Sequence, residues 1–190
     1  RAANEIPDSR RTGPMISTID KNIQERVMQI ALSHQKSLVS NEIGNVAVLV
    51  LDTETGKTLA YAGNITDSSN YVYSPWVDMI MAPRSSGSIL KPFLYAALLS
   101  SGELLPNSLV PDIPTRIGGF APENFDKEYS GAVHADQALA RSLNVPAVLM
   151  LKDYGVARFK YLLGDMGLTT IRRSAGDYGL SLILGGAETR

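Results

Sequence analysis

The chain has 190 residues, of which 44% are hydrophobic, and its 18 Lys and Arg against 19 Asp and Glu give a formal net charge of −1. Such a chain can bury one sizeable core, or a core with a small satellite. A balanced charge does not indicate a basic surface that could bind a phosphate backbone, so nucleic acid is not an expected partner. The absence of cysteine excludes disulfides and thiolate metal sites, and two histidines are too few for a multi-histidine metal centre. We therefore expect no metal and no other cofactor.

The first part of the chain predicts a linker, a helix and a hairpin. Residues 1–17 are largely polar and contain two prolines, as is typical of a connector. Asp20 is a predicted N-cap for a helix that continues to about Leu38, because apolar residues recur on one of its faces. The runs 45–52 and 57–63 are rich in β-formers and flank a turn signal, so they predict a β-hairpin.

The rest of the chain is predicted to be mainly helix and loop. A helix over 88–101 is followed by a connection rich in Pro and Gly at 102–132. Three further helices are predicted: one reaching about Arg141, one with Pro146 in its first turn, and one ended by Gly167. Because an isolated hairpin is only marginally stable, its sheet is expected to have further strands outside this chain. The predicted class is α+β.

A hydroxyl and an amine stand together at the start of the first helix after the hairpin. Residues three apart on a helix are neighbours, so Ser88 and Lys91 can touch. Serine needs a base to act as a nucleophile, and an amine can be that base if burial lowers its pKa from about 10.4 towards neutrality. Gly87 would let a substrate backbone come close to the serine. On spacing alone, however, a helix cap is the preferred interpretation, and Ser33 with Lys36 has the same spacing in an ordinary amphipathic helix.

A second polar pair lies at the predicted break between two later helices. Ser142 and Asn144 could relay a proton there and hold a substrate amide. By itself this pair is also weak evidence, because a similar Ser-x-Asn triplet at 68–70 lies in a polar loop, where such residues form turns. Two such pairs, each at a helix end, together favour a catalytic site over a simple cap.

Several segments resemble the transpeptidase domain of penicillin-binding proteins. RSSGSILKPF is similar to the Ser-x-x-Lys nucleophile motif of that family, and ARSLNVPAV is similar to its Ser-x-Asn motif. Segments between and around the motifs also match: APENFDKEYSGAVHADQAL, STIDKNIQ, VLVLDTETGKTLAYAGN and LSLILGGAE. The resemblance extends from about Thr18 to Glu188, and in detail it favours the bifunctional, class A members of Gram-negative bacteria.

The resemblance implies a serine D,D-transpeptidase that crosslinks peptidoglycan stem peptides ending in D-Ala-D-Ala and is acylated by β-lactams. Ser88 would be the nucleophile, and Lys91 would accept its proton. Ser142 would pass that proton to the leaving nitrogen, while Asn144 would hold the amide of the substrate. Asn124 is expected at the rim of the same cleft.

The resemblance stops before the third motif of the family. The sequence has no Lys-Thr-Gly or Lys-Ser-Gly triplet, and Gly56-Lys57-Thr58 lies in the predicted hairpin, which is the wrong place for it. Residues 18–190 are therefore expected to be the N-terminal part of a transpeptidase domain, with feeble activity at best. The resemblance further implies a parent protein with a preceding membrane anchor and glycosyltransferase domain, on the periplasmic side of the inner membrane.

Three alternatives stay open at this point. A penicillin-binding or sensing module would be acylated without transpeptidase turnover. A β-lactamase would need a carboxylate-activated water, and no loop in the sequence indicates one. A scaffold between other domains would use Ser88 only as a helix cap. His134 is expected to have a structural role, as a cap or as a partner of a loop carbonyl.

Overall fold

The computed structural model describes residues 16–66 and 74–189. The chain divides into two compact units, Arg1–Ala82 and Pro83–Arg190. The predicted linker lies outside the described residues except for its last two positions, and so does the triplet at 68–70. Within the described ranges, no helix is both long enough and apolar enough to cross a membrane.

The described residues of the first unit include the predicted α-helix, followed by a short 3-10 turn, and the predicted β-hairpin. Helix α1, Lys21–Leu38, begins after Asp20, whose side chain accepts a hydrogen bond from the N–H of Ile23. Strands β1, Val46–Leu51, and β2, Thr58–Ile65, pair in antiparallel fashion. A small apolar cluster joins the helix to the hairpin: Val27, Ala31, Val46, Val48, Ala62 and Ile65.

The second unit is organised around one buried helix. The helices of this unit are α2 (Lys91–Ser101), α3 (Ala135–Ala140), α4 (Asn144–Tyr154), α5 (Val156–Asp165) and α6 (Ala175–Tyr178). Seven of the eleven residues of α4, the buried helix, are buried, so it is apolar on nearly every side. Its neighbours include α2, α3, α5 and a 3-10 turn near the end of the chain. The predicted Pro146 in the first turn of α4 and the predicted stop near Gly167 are confirmed.

The second unit also contains four short strands that the sequence did not predict. Strands β3, Arg84–Ser85, and β6, Glu188–Thr189, form one antiparallel pair. Strands β4, Leu109–Asp112, and β5, Gly131–His134, form another within the region expected to be loop and helix. Strands of two to four residues are too short for an alternation of apolar and polar residues to be recognised in the sequence, which explains why they were not predicted. Helices and strands occur in both units, as the predicted α+β class requires.

Candidate active site

Ser88 lies in a 3-10 turn, Gly87–Leu90, that leads directly into α2. Residues three apart eclipse each other in a 3-10 turn, and the N–H of Lys91 bonds to the carbonyl of Ser88. The backbone of the turn therefore places Lys91 on the same side as Ser88, one turn further along. Gly87 has a φ of +53°, which favours glycine, and a Cβ built on it would meet nothing within 4 Å. The approach to the serine along this side of the turn is open.

The amine of Lys91 is enclosed by the protein, since this residue is only 1% exposed. Its Nζ donates to the carbonyl of Ser142 at 2.7 Å, to the hydroxyl of Ser142 at 3.2 Å, and to Oδ1 of Asn144 at 2.7 Å. Burial lowers the pKa of Lys91 to about 8. The structure thus brings together three of the predicted residues, and it gives the amine a pKa suited to accepting a proton near neutral pH.

The three contacts of Lys91 fit both protonation states of the amine. A protonated amine has three N–H donors, whereas a neutral amine has two and a lone pair. The carbonyl of Ser142 and the Oδ1 of Asn144 can only accept hydrogen bonds, but a hydroxyl can also donate one. When Lys91 loses a proton, the hydroxyl of Ser142 can turn and donate to Nζ while the two shorter bonds persist. The site can therefore exchange a proton without breaking a contact.

Ser142 has a strained backbone at the break between α3 and α4. Its φ is +53°, in the left-handed region that non-glycine residues occupy at a cost of about 1–2 kcal/mol. Both its carbonyl and its hydroxyl reach Lys91 from this conformation. Backbone strain of this kind is concentrated at functional sites, and here it accompanies the contact with the buried amine.

The hydroxyl of Ser88 is accessible. Ser88 is exposed, and its side chain makes no hydrogen bond with any residue that the structure describes, Lys91 included. Its backbone N–H is also without a partner in the described part of the chain. Hydrogen bonds between catalytic groups often form only once a substrate is bound, so activation of Ser88 by Lys91 stays a prediction.

Asn124 occupies a different position from the one expected at the rim of a cleft. It is 3% exposed, and its Oδ1 accepts hydrogen bonds from the N–H groups of Asn144 at 2.9 Å and Val145 at 3.2 Å. Its Nδ2 donates to Oδ1 of Asp112 at 2.7 Å and to the carbonyl of Glu128 at 2.9 Å. Since its amide is fully engaged inside the protein, we interpret Asn124 as a cap of α4 and not as a group that contacts substrate.

Sequence reasoning missed the segment that holds the turn of Ser88 in place. The hydroxyl of Ser85 donates to the carbonyl of Gly185 at 2.7 Å, and the N–H of Ser86 donates to the carbonyl of Ala187 at 2.8 Å. A Cβ on Gly185 would lie 2.9 Å from the Cα of Gly87, which is closer than real Cβ atoms approach a neighbour. The two adjacent glycines near the end of the chain were the available signal in the sequence.

Other candidate residues fall outside the site. Ser33 and Lys36, which share the spacing of the nucleophile motif, are both exposed on α1, so Lys36 lacks the enclosure that distinguishes Lys91. The Nδ1 of His134 lies 3.0 Å from the carbonyl oxygen of Asn107, which confirms the predicted contact with a loop carbonyl. In the part of the chain that the structure describes, no group of three or more His, Cys, Asp and Glu is placed to hold a metal ion.

The family model described as "Penicillin binding protein transpeptidase domain" matches residues 46–180. The chain belongs to the penicillin-binding protein transpeptidase family. This confirms the resemblance carried by the two motifs, and it supports a transpeptidase-type function.

Named relatives agree with this assignment. Penicillin-binding protein 1C of Escherichia coli K12 is 35% identical over 95% of this chain and 23% of the relative. Penicillin-binding protein 1F of Bacillus subtilis is 30% identical over 90% of this chain and 22% of the relative. The chain therefore spans about a quarter of the length of these curated relatives.

Solved structures of penicillin-binding proteins share the fold. PonA1 of Mycobacterium tuberculosis, in complex with penicillin V, matches with a TM-score of 0.71 at 23% identity. The match covers 93% of this chain and 48% of the PonA1 chain. Penicillin-binding protein 1A of Haemophilus influenzae matches with a TM-score of 0.62 at 25% identity, over 76% of this chain and 21% of the Haemophilus chain. The α+β class predicted from the sequence is thereby confirmed.

Proposed function

We propose that this chain carries the nucleophile and proton-transfer groups of a serine D,D-transpeptidase that crosslinks peptidoglycan stem peptides. The observation that supports this most strongly is the enclosed amine of Lys91, which Ser142 and Asn144 hold one turn beyond the exposed Ser88. A helix cap requires neither a buried amine nor a strained residue opposite it. The family assignment supports the same reaction class.

The proposed first step forms an acyl-enzyme. The Oγ of Ser88 attacks the carbonyl carbon of the penultimate D-Ala while neutral Lys91 accepts its proton. The backbone N–H of Ser88, which has no partner among the described residues, stabilises the negative oxygen that forms. Ser142 then passes the proton to the leaving nitrogen, the C–N bond breaks, and D-Ala departs.

The second step transfers the acyl group. An amine of a neighbouring stem peptide attacks the ester carbon, and its proton returns through Ser142 and Lys91 to the oxygen of Ser88 as the ester bond breaks. Asn144, which bonds to Lys91 through Oδ1 and to the carbonyl of Glu123 through Nδ2 at 2.8 Å, retains one amide hydrogen that can bond to a substrate carbonyl. The products are a crosslinked peptide and the regenerated serine.

A β-lactam would react in the same way. Attack of Ser88 on the carbonyl carbon of the ring amide breaks the C–N bond of the ring, just as attack on the stem peptide breaks the C–N bond before the terminal D-Ala. The fold neighbour PonA1 was solved in complex with penicillin V, which supports penicillins as ligands of this chain as well. We propose further that the chain acts within a longer, membrane-anchored protein of the periplasm, which supplies the Lys-Thr-Gly motif and a glycosyltransferase domain. This fits relatives about four times as long as the chain.

The test is turnover of a D-Ala-D-Ala stem peptide with an amine acceptor by the protein that carries this chain, followed by mass spectrometry of the products. We expect free D-Ala and a crosslinked peptide, neither of which Ser88→Ala should form. Ser33→Ala is the matched control and should retain full activity. Acylation by penicillin without any crosslinked product would instead support a penicillin-sensing module.

A further inference from the structure

Asp112 is a buried carboxylate at a position where a short strand should place an apolar side chain. Residues of β4 alternate between exposed and buried, and Val110 and Asp112 are its two buried positions. Asp112 is 0% exposed, and it takes part in no ion pair within the described ranges. A carboxylate in this position is costly unless hydrogen bonds compensate for the lost water, so its partners indicate what it does.

Both oxygens of Asp112 accept hydrogen bonds. Oδ1 accepts from the Nδ2 of Asn124 at 2.7 Å, and Oδ2 accepts from the N–H of Ser130 at 2.9 Å. Because a carboxylate can only accept, it fixes which end of the Asn124 amide faces it. The NH₂ group points towards Asp112 and the carbonyl of Glu128, and the amide oxygen must therefore point towards α4.

The start of α4 depends on that amide oxygen. Leu143, the N-cap residue, provides no side-chain hydrogen bond to the helix. The N–H of Leu143 bonds to the carbonyl of Ala138, and Pro146 has no N–H, so the free donors of the first turn are the N–H groups of Asn144 and Val145. Asn124 accepts from both of them. The cap of this helix thus comes from the connection that precedes it, and it is attached to the residue that bonds to the catalytic amine.

We propose that Asp112 and Asn124 are positioning residues of the active site. Asp112 orients the amide of Asn124, and Asn124 holds the first turn of α4 so that Ser142 and Asn144 stay in contact with Lys91. This inference rests on the proposed acyl transfer for its effect on rate, but its effect on the start of α4 can be measured separately.

Three variants separate orientation of the amide from simple loss of a side chain. Asp112→Asn turns one acceptor into a donor, which then faces either the NH₂ of Asn124 or the N–H of Ser130. Asn124→Asp brings two carboxylates together. In the double variant D112N/N124D, the amide at position 112 donates to the carboxylate at position 124, which still accepts from the N–H groups of α4. Of the hydrogen bonds around this pair, only the one to the carbonyl of Glu128 is lost.

The first readout is the rate of acylation by a fluorescent penicillin in the protein that carries this chain. Each single variant should react at least about tenfold more slowly than the wild type, because a buried group loses its partner. The double variant should return to within about threefold of the wild-type rate. Asp126→Asn is the matched control: it lies in the same connection, is exposed, and accepts one local bond from the N–H of Glu128. Its rate should not change.

Two results of this experiment would overturn the proposal. One is a wild-type rate in Asp112→Asn. The other is a double variant that is no faster than the slower single variant, because a merely structural loss would add up and would not be reversed by exchanging the two side chains.

The second readout is hydrogen–deuterium exchange at the backbone amides of Asn144 and Val145, compared with the amides of α5. In the single variants these two amides should exchange at least about tenfold faster relative to α5, and in the double variant the difference should disappear. Unchanged exchange at these amides overturns the proposal whether or not the protein reacts with penicillin. Altered exchange in a protein that penicillin does not acylate would support the positioning role and contradict the proposed function.

Discussion

At the scale of single residues, the burial of Lys91 has two opposing effects. Enclosure lowers its pKa from 10.5 to about 8, which makes the amine available as a base, but it also removes a charged group from water. At pH 7 the neutral form is roughly one molecule in ten. The hydrogen bonds to Ser142 and Asn144 offset part of the free-energy cost of burying the amine, whether it is neutral or protonated.

The first prediction concerns the pH dependence of acylation. Below pH 8 the rate constant for acylation of Ser88 by penicillin should rise about tenfold per pH unit, and above the pKa of Lys91 it should level off. Stopped-flow measurements between pH 6 and 9.5 would show this profile. Lys91→Met should be about 10²- to 10⁴-fold slower and should lack the rise. A flat wild-type profile would exclude Lys91 as the proton acceptor.

The second prediction concerns stability. Between pH 8 and 10.5 the unfolded state binds more protons at Lys91 than the folded state does, so this residue makes the free energy of unfolding rise with pH across that window. Below about pH 8 the cost of burying the charge, on the order of 3 kcal/mol, is fully present. Urea unfolding of the wild type and of Lys91→Met at pH 7 and pH 10 would measure it. The free energy difference between the two proteins should change by most of this amount, because pH 10 is still just below the unfolded pKa of 10.5, whereas parallel pH curves would contradict the assignment.

At the scale of the elements, the position of Ser88 depends on the turn that follows the 3-10 helix Gly179–Leu184. Gly185 has a φ of +101°, and a Cβ on it would lie 2.7 Å from the Oγ of Ser85. The strand pair β3–β6 and the bond from Ser85 to Gly185 then tie this turn to the residues just before Ser88. The turn of Ser88 is therefore held by residues 185–189 as well as by α2.

The third prediction tests this attachment. Gly185→Ala should slow acylation by penicillin at least about tenfold and lower the melting temperature, because both the φ angle and the contact with Gly87 resist a side chain. Gly164→Ala is the control: Gly164 lies in α5, and a Cβ there would meet nothing within 4 Å. That variant should keep its rate and gain a few tenths to about 1 kcal/mol of stability. Equal rates in the two variants would show that the turn does not position the serine.

The elements that the sequence predicted are those with a local signal. Asp20 marks the start of α1 and Pro146 the first turn of α4, and both hairpin strands are long enough to show their composition. The pairs β3–β6 and β4–β5 were missed because their strands are short and their partners are distant along the chain. Their formation is decided by tertiary contacts that no window of sequence contains.

The same limit applies to the site. Spacing was sufficient to place Lys91 beside Ser88 along the backbone of the turn, while a hydrogen bond between their side chains stays a prediction. Asn124 was placed at the cleft, but its role as a cap depends on Asp112, which lies in a strand that was not predicted. A buried carboxylate can be recognised only when the alternation of that strand is known.

At the scale of the whole molecule, the chain spans about a quarter of the length of the curated relatives it matches. The fourth prediction follows from the proposed function. If a longer protein supplies the Lys-Thr-Gly strand, as we propose, the 190-residue chain alone should react with penicillin at least about 10²-fold more slowly than that protein, because the strand would provide a second oxyanion donor. Labelling both at equal concentration measures the ratio, and equal rates would show that this chain is complete in itself for acylation.

The proposed function requires that the hydroxyl of Ser88 becomes covalently acylated. The direct measurement is mass spectrometry of the protein after reaction with penicillin, with the modified peptide sequenced. We predict one penicilloyl group, carried by Ser88, which Ser88→Ala abolishes and Ser33→Ala leaves unchanged. A Ser88→Ala protein that still gains the same mass would contradict the account.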